Sequence, residues 1–438
     1  MKKTILFAIL ILIFGCQEKT QNTNKLFDAE PEVRVRIINT LSEINVALHD
    51  KWTVKIDDSS EAMSFSNGDS LKLSAVDGKI TFSANGKNLA TEIDHLKING
   101  INKSSTLEIA DVPYGIGWWW AGKQNRIYEG DMHIYVGMDN TLEWVVKLPL
   151  EEYLKGVVPY EIGGDSPLEA LKAQAVAARS EAIIALTSGL YNGEYHDLTS
   201  DVECQVFSGN NKRTTESDLA VTETASVIIS EEGKPMNAYY ASNCGGHSEL
   251  IENVWPDRPR MASYALAVTN DVKAAALDLS NEKVAQDWIN SEPKTYCNPN
   301  LGIELPLYSQ QNFRWKRAYT KKEMSEMLST DKDLGEFKEL VVKKRGVSGR
   351  MYLADFVFEK QTISVEGELS IRQMWKPALR SAAFYIEEND DSYTLIGAGW
   401  GHGVGMCQSG AVSMAKQGKE YSEILQHYYA KADLLDIY

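Results

Sequence analysis

The chain has 438 residues and a formal net charge of −16, with 43% hydrophobic and 24% charged residues. That is the composition of a folded body with room for two or three units, not of a disordered tract. A surface this acidic repels phosphate backbones and anionic head groups, so nucleic acid and lipid are set aside as electrostatic partners, while a long uncharged polymer is not.

Met1-Lys2-Lys3 is a short basic start, Thr4 to Phe14 is almost wholly apolar, and Gly15-Cys16 follows. The apolar run is short for a bilayer core of about 30 Å, and its flanks fit a secretory signal. Ile13-Phe14-Gly15-Cys16 resembles a lipobox. Residues 1–16 are therefore expected to be a lipoprotein signal with Cys16 lipidated, and residues 17–30 a polar tether. The body is expected outside the cytoplasm, held to a bacterial membrane by lipid alone. Cys204, Cys244, Cys297 and Cys407 remain. An even set in that compartment can oxidise to bridges, with three pairings open.

Residues 31–145 read as a β-rich unit. Val33, Val35 and Ile37 alternate with Arg34, Arg36 and Ile38, and Lys79-Ile80-Thr81-Phe82 keeps the same period. Asn67-Gly68, Asn85-Gly86 and Asn99-Gly100 read as hairpin turns between such runs. Trp118-Trp119-Trp120 reads as packing rather than as a sugar-stacking surface.

Residues 146–438 are mixed in character. Leu150 to Leu154 suggests a helical turn followed by a loop. Ser166, Pro167 and Glu169 then read as an N-cap, a first-turn proline and a capping-box partner. They open a long helix with Leu168, Leu171, Ala175, Ala178, Ala182 and Leu186 on one stripe and a stop at Gly189. Its many alanines keep it slim, which predicts a central place. Strand-like runs at 225–230 and 235–241 follow, then a looser, partly helical section at about 270–340. Thr394-Leu395-Ile396, a glycine-rich loop from Gly397 to Gly410 and two short helices close the chain. The expected fold class is α+β: a β-rich unit followed by a mixed α/β domain around the alanine-rich helix.

Three stretches carry a resemblance. The first is Tyr153-Leu154-Lys155-Gly156-Val157-Val158-Pro159-Tyr160-Glu161, with the run from Pro167 to Arg179 after it. The second is Tyr239-Tyr240-Ala241-Ser242-Asn243-Cys244-Gly245-Gly246-His247. The third is Gly399-Trp400-Gly401-His402-Gly403-Val404-Gly405-Met406-Cys407-Gln408. In this order, over roughly residues 145 to 430, the chain resembles the SpoIID/LytB family of peptidoglycan lytic transglycosylases and amidase enhancers. The resemblance implies that peptidoglycan glycan strands are the substrate and that a cell-wall amidase is a further partner. It also implies that Glu161, in the Val-Pro-x-Glu element, is the catalytic acid and base.

The chemistry is consistent with one carboxyl group. A hydrolytic glycosidase usually needs two carboxylates. In a lytic transglycosylase the attacking hydroxyl is C6–OH of the same muramic acid unit, so no water need be held. Glu161 must then start protonated near neutral pH, which predicts a raised pKa. The nearby helix N-terminus opposes this, Asp165 repels a second charge, and desolvation by Val157, Val158 and Ile162 is expected to win.

Lys172 and Arg179, on nearly one helix face, are candidates for glycan contact, as are Tyr240, His402 and Gln408. The glycine-rich stretch at 399–405 lacks the βαβ context of a dinucleotide site and reads as a close approach of backbone to polysaccharide. Some members of the family hold zinc just before the Cys-Gln dipeptide, here Cys204-Gln205. This chain keeps His196 and Cys204 but has Leu198, Thr199 and Glu203 where further ligands are expected. No metal or other cofactor is therefore expected, and a Cys244–Cys297 bridge is the first choice. A thiol nucleophile at Cys407 lacks an orienting third group.

Overall fold

The computed structural model describes residues 25–118, 120–258, 277–329 and 333–438. The lipobox with Cys16 and the first part of the tether lie outside the described residues, as does Trp119. Among the described residues no helix is long and apolar enough to cross a membrane.

Period-2 alternation builds two sheets. One has seven strands in the order Leu198–Thr199, Glu32–Ile38, Leu142–Pro149, Asp131–Val136, His95–Gly100, Trp52–Ile56 and Met63–Phe65. The other runs Gly122–Tyr128, Thr106–Tyr114, Glu43–His49, Ser70–Val76, Lys79–Ala84 and Lys87–Ile93. Val33, Val35, Leu71, Leu73, Ile80 and Phe82 point into one core, while their neighbours in sequence stay more exposed. Pairing is antiparallel except for Leu198–Thr199, which adds in parallel beside Val35 and Arg36. That late segment ties the β-rich unit to the helical part, and both share the same core.

Turn chemistry is only partly as expected. Asn85 and Gly86, both at positive φ, make the predicted tight hairpin, and Asp77-Gly78 makes another that the sequence reading passed over. Asn99-Gly100 is no turn. Both residues lie in a strand, paired with Thr53 and Trp52, and the chain reverses after them.

The mixed part begins with a helix at Leu150–Val158 that runs straight into a π-helical turn at Pro159–Gly163. Pro159 has no N–H to give the preceding turn, and a widened turn is where such a defect is absorbed. The long helix spans Leu168–Ser188 and ends at Gly189, whose φ of 69° glycine adopts without strain. It is buried on most sides, as its alanine content predicts.

Its capping box does not form. Ser166 Oγ donates to Ile162 O at 2.7 Å, the preceding π turn having claimed the hydroxyl. Glu169 accepts instead from Lys172 Nζ and from the Tyr421 N–H, both at 2.8 Å. Tertiary partners outbid the local cap.

After this helix, Val227–Glu231 pairs with Lys234–Pro235 and with the last strand, Asp433–Asp436. In the 235–241 run only the ends pair, Tyr240–Ala241 lying parallel to Met406–Cys407. Beyond residue 313 a second core appears, centred on Trp315, Phe356, Trp375 and Phe384. One sheet joins Arg314–Thr320, Ser392–Ala398 and Phe384–Glu388, and another joins Phe337–Arg345, Met351–Phe358 and Thr362–Glu366. The section expected to be loose thus continues into a packed β-rich body.

Candidate active site

The π-helical turn carries Tyr160 and Glu161 to the wall of a cavity of about 620 Å³. Tyr160, Asp165, Trp120, Lys212, Tyr240, Trp400 and Gln408 share that wall with Glu161. A smaller cavity of about 260 Å³ begins on the other side of Glu161 and is walled by Glu181, Tyr191, Tyr239, Tyr240, Trp255 and His402. Glu161 therefore stands where two hollows meet, with aromatic rings on both sides.

Each side chain around Glu161 is held by a named neighbour. The Val206 N–H donates to Glu161 Oε1 at 3.0 Å. Gln408, the first residue of the helix Gln408–Lys416, hydrogen-bonds the carboxyl and also donates to Gln174 Oε1 at 3.1 Å. Tyr240 OH donates to Gln205 Oε1 at 2.8 Å, and Gln205 Nε2 donates to Ala178 O on the long helix. The Cys-Gln dipeptide thus positions a tyrosine and, one residue later, the backbone donor on Glu161.

Burial pushes the Glu161 carboxyl up to about 7. The Val206 N–H and Gln408, which favour the anion, hold it back. Desolvation wins, as expected, against these two hydrogen bonds. Glu181 is also raised to about 7 by burial, against hydrogen bonds from Asn237 and from the Ala238 N–H.

The other expected contacts divide. Tyr240 and Gln408 line the larger cavity beside Glu161. His402 reaches the smaller one, but Nδ1 accepts from the Val404 N–H at 3.0 Å and burial lowers its pKa to about 3, so it is a neutral, held ring. Arg179 lines neither hollow. It is wholly buried and bidentate to Glu151 at 2.8 and 2.6 Å, with further donation to Val227 O and Val221 O. Lys172 pairs with Glu169 and Glu223 at 2.8 and 2.7 Å. Neither residue lines a hollow, and carboxylates on neighbouring elements pair with both charges.

The sequence reading missed two residues. Lys212 lies 4.0 Å from the centre of the Tyr160 ring and lines the cavity; no local motif marks it. Trp120, read as packing, lies on the cavity wall near Tyr114.

The cysteines also separate. Cys407 is buried and lines neither hollow, which removes it as a thiol nucleophile in this groove. Cys204 is apart from the other three, and burial pushes its thiol up to about 12. His196 is bound to Glu143 at 2.9 Å, and among the described residues His196 and Cys204 do not come together in a cluster of metal-ligating side chains. Cys244 and Cys297 do meet, with sulfurs 3.6 Å apart as free thiols.

An α+β fold with one raised carboxyl, Glu161, at the junction of two aromatic hollows and a second, Glu181, on the wall of the smaller one defines a class of groove-bearing proteins. Sequence comparison narrows it. A family profile described as Stage II sporulation protein matches residues 138–230, and one described as a domain of unknown function matches 249–405. An uncharacterized protein of Brachyspira hyodysenteriae is 30% identical over 309 residues, covering 70% of this chain and 72% of its own. Stage II sporulation protein D of Bacillus amyloliquefaciens is 27% identical over 303 residues, 66% of this chain and 75% of that protein. The Amidase enhancer of Bacillus subtilis is 27% identical over 297 residues, 63% of this chain but 39% of that longer protein. The chain belongs to the SpoIID family.

Proposed function

We propose that this protein is a peptidoglycan lytic transglycosylase with Glu161 as its single acid and base. The observation that carries the reading is a carboxyl raised to about 7 on the wall of a cavity of about 620 Å³. A protonated Glu161 gives its proton to the glycosidic oxygen between MurNAc and GlcNAc. The carboxylate then takes the proton of the muramic C6–OH as that oxygen closes on C1. The aromatic rings offer stacking faces for sugar, and Lys212 offers a cation for the lactyl carboxylate of muramic acid, the role first expected of Lys172 and Arg179.

Purified glycan strands incubated with the protein should yield 1,6-anhydro ends, lighter by one water than hydrolytic products on mass spectrometry. Reducing ends would point to a hydrolase, with Glu181 the first carboxylate to test. Lys212→Ala should raise KM several-fold for strands bearing lactyl groups and leave KM for chitin oligomers, which lack them, unchanged. An equal rise for both would remove Lys212 from that role.

A second reading, from another class, rests on the relative named Amidase enhancer. Here the same groove binds glycan without cutting it and stimulates a separate wall amidase. No cleavage by the pure protein, together with faster release by an added amidase, would favour it. We further propose export and lipid attachment through Cys16, supported by the signal and lipobox pattern. Cys16→Ser should free the protein from membranes or leave it unprocessed; processing and membrane retention like those of the wild type would exclude the anchor.

A further inference from the structure

Three cysteines meet behind the groove. Cys244 lies just after the strand Tyr240–Ala241, Cys297 lies between the helix Glu282–Asn290 and the second core, and Cys407 directly precedes Gln408. They are 6%, 2% and 1% exposed, and their sulfurs all lie within 4.8 Å of one another. Cys244 Sγ is 3.6 Å from Cys297 Sγ, and Cys407 Sγ accepts from the Cys244 N–H at 3.2 Å. Metal–thiolate bonds are about 2.3 Å long, so three sulfurs around an ion in their own plane stand about 4 Å apart. The observed spacing brackets that figure. Among the described residues no His, Asp or Glu donor joins the group.

Charge around the cluster is unusual. Arg350 Nη1 donates to Cys244 O at 3.2 Å, and Arg314 Nη1 donates to Gly245 O at 3.0 Å. Among the described residues every acceptor they have is a carbonyl or a hydroxyl. Among the described residues Arg350 Nη2 and Arg314 Nε, both buried atoms, have no hydrogen-bond partner. Glu292 acts on the half-buried Arg314 through space, and Glu249 reaches the buried Arg350 only through the Ser348 hydroxyl, so among the described residues no carboxylate hydrogen-bonds either guanidinium and an anionic group beside them would be stabilised.

We propose that Cys244, Cys297 and Cys407 form a three-coordinate thiolate site for a soft cation, copper(I). Thiolates select soft ions, and a structural zinc site wants a fourth ligand that no described residue offers this cluster. Three thiolates and one monovalent ion carry a net charge of about −2, and the guanidinium groups of Arg350 and Arg314, which donate to the carbonyls of Cys244 and Gly245, lie where they offset it. The ion ties together three segments far apart in sequence. One of them continues into Gln408, so the site braces the wall that holds Glu161. The assignment does not depend on how the groove cuts or binds its polymer.

The test is anaerobic titration of the reduced full chain with copper(I) and, separately, with zinc. Metal analysis after desalting gives the stoichiometry, and X-ray absorption counts the sulfur neighbours. One copper(I) per chain with three sulfurs is expected, kept in Cys204→Ser and lost in Cys297→Ser. The wild-type sulfur count decides the matter even if Cys297→Ser fails to fold. No retained copper, fewer than three sulfurs, or zinc held in preference with oxygen in its shell would overturn the site. So would a Cys244–Cys297 disulfide found by peptide mapping of the protein as isolated.

Discussion

At Glu161 two hydrogen bonds and the loss of water pull in opposite directions, and under the proposed function their balance sets the working pH. A general acid with a pKa of about 7 is protonated below that pH and is lost as pH rises through it. The rate should therefore fall above about pH 7. Gln408→Leu removes a hydrogen bond that favours the anion, so the carboxyl pKa should rise and the falling limb move to higher pH. A limb that stays in place would detach Gln408 from Glu161. The same shift bears on stability. Glu161 and Glu181 release their protons near the ordinary 4.5 when unfolded and near 7 when folded. The folded state binds more protons in that window, so their contribution is full below about pH 4.5 and lost as pH rises through about 7. Urea midpoints should fall between pH 5 and pH 8, and Glu181→Gln should shrink the fall.

Among the elements, the long helix shows what a sequence can and cannot reveal. Its extent, its glycine stop and its burial follow from composition and period, which are local properties. Its cap and its arginine do not, because their partners come from afar: Glu151 lies 28 residues before Arg179, and Tyr421 lies 252 after Glu169. Arg179→Leu leaves Glu151 charged and stripped of its main partner, which should cost about 3–5 kcal/mol in urea unfolding. Glycan binding per folded molecule should be unchanged, whereas a loss of affinity at full stability would restore the contact role. Glu161 was legible because its motif is contiguous, and Lys212 was not because its place depends on the turn it packs against. The glycine loop at 399–405 was legible as a close approach, but to protein. A Cβ on Gly405 would overlap the Tyr239 carbonyl and one on Gly403 would overlap Arg350. Gly405→Ala should therefore lower Tm by several degrees.

At the scale of the whole molecule, the groove joins pieces that are remote in sequence. Trp120 comes from the β-rich unit, Glu161 from the π turn, Tyr240 from a short strand and Gln408 from the helix Gln408–Lys416. The second core, built from residues 315 to 395, lies within the segment matched by the domain of unknown function. The alternation that made residues 31–145 readable is present there too, in Met351–Phe358 for example. Helices at Leu307–Phe313 and Lys321–Ser329 precede it, so this stretch of sequence mixes the helical and the strand period. The central claim is that this assembly serves one acid. Turnover and glycan binding of Glu161→Gln, measured side by side on purified strands, test it most directly. The account predicts a loss of turnover of roughly 10²–10⁴-fold with binding retained; undiminished turnover in Glu161→Gln would contradict it.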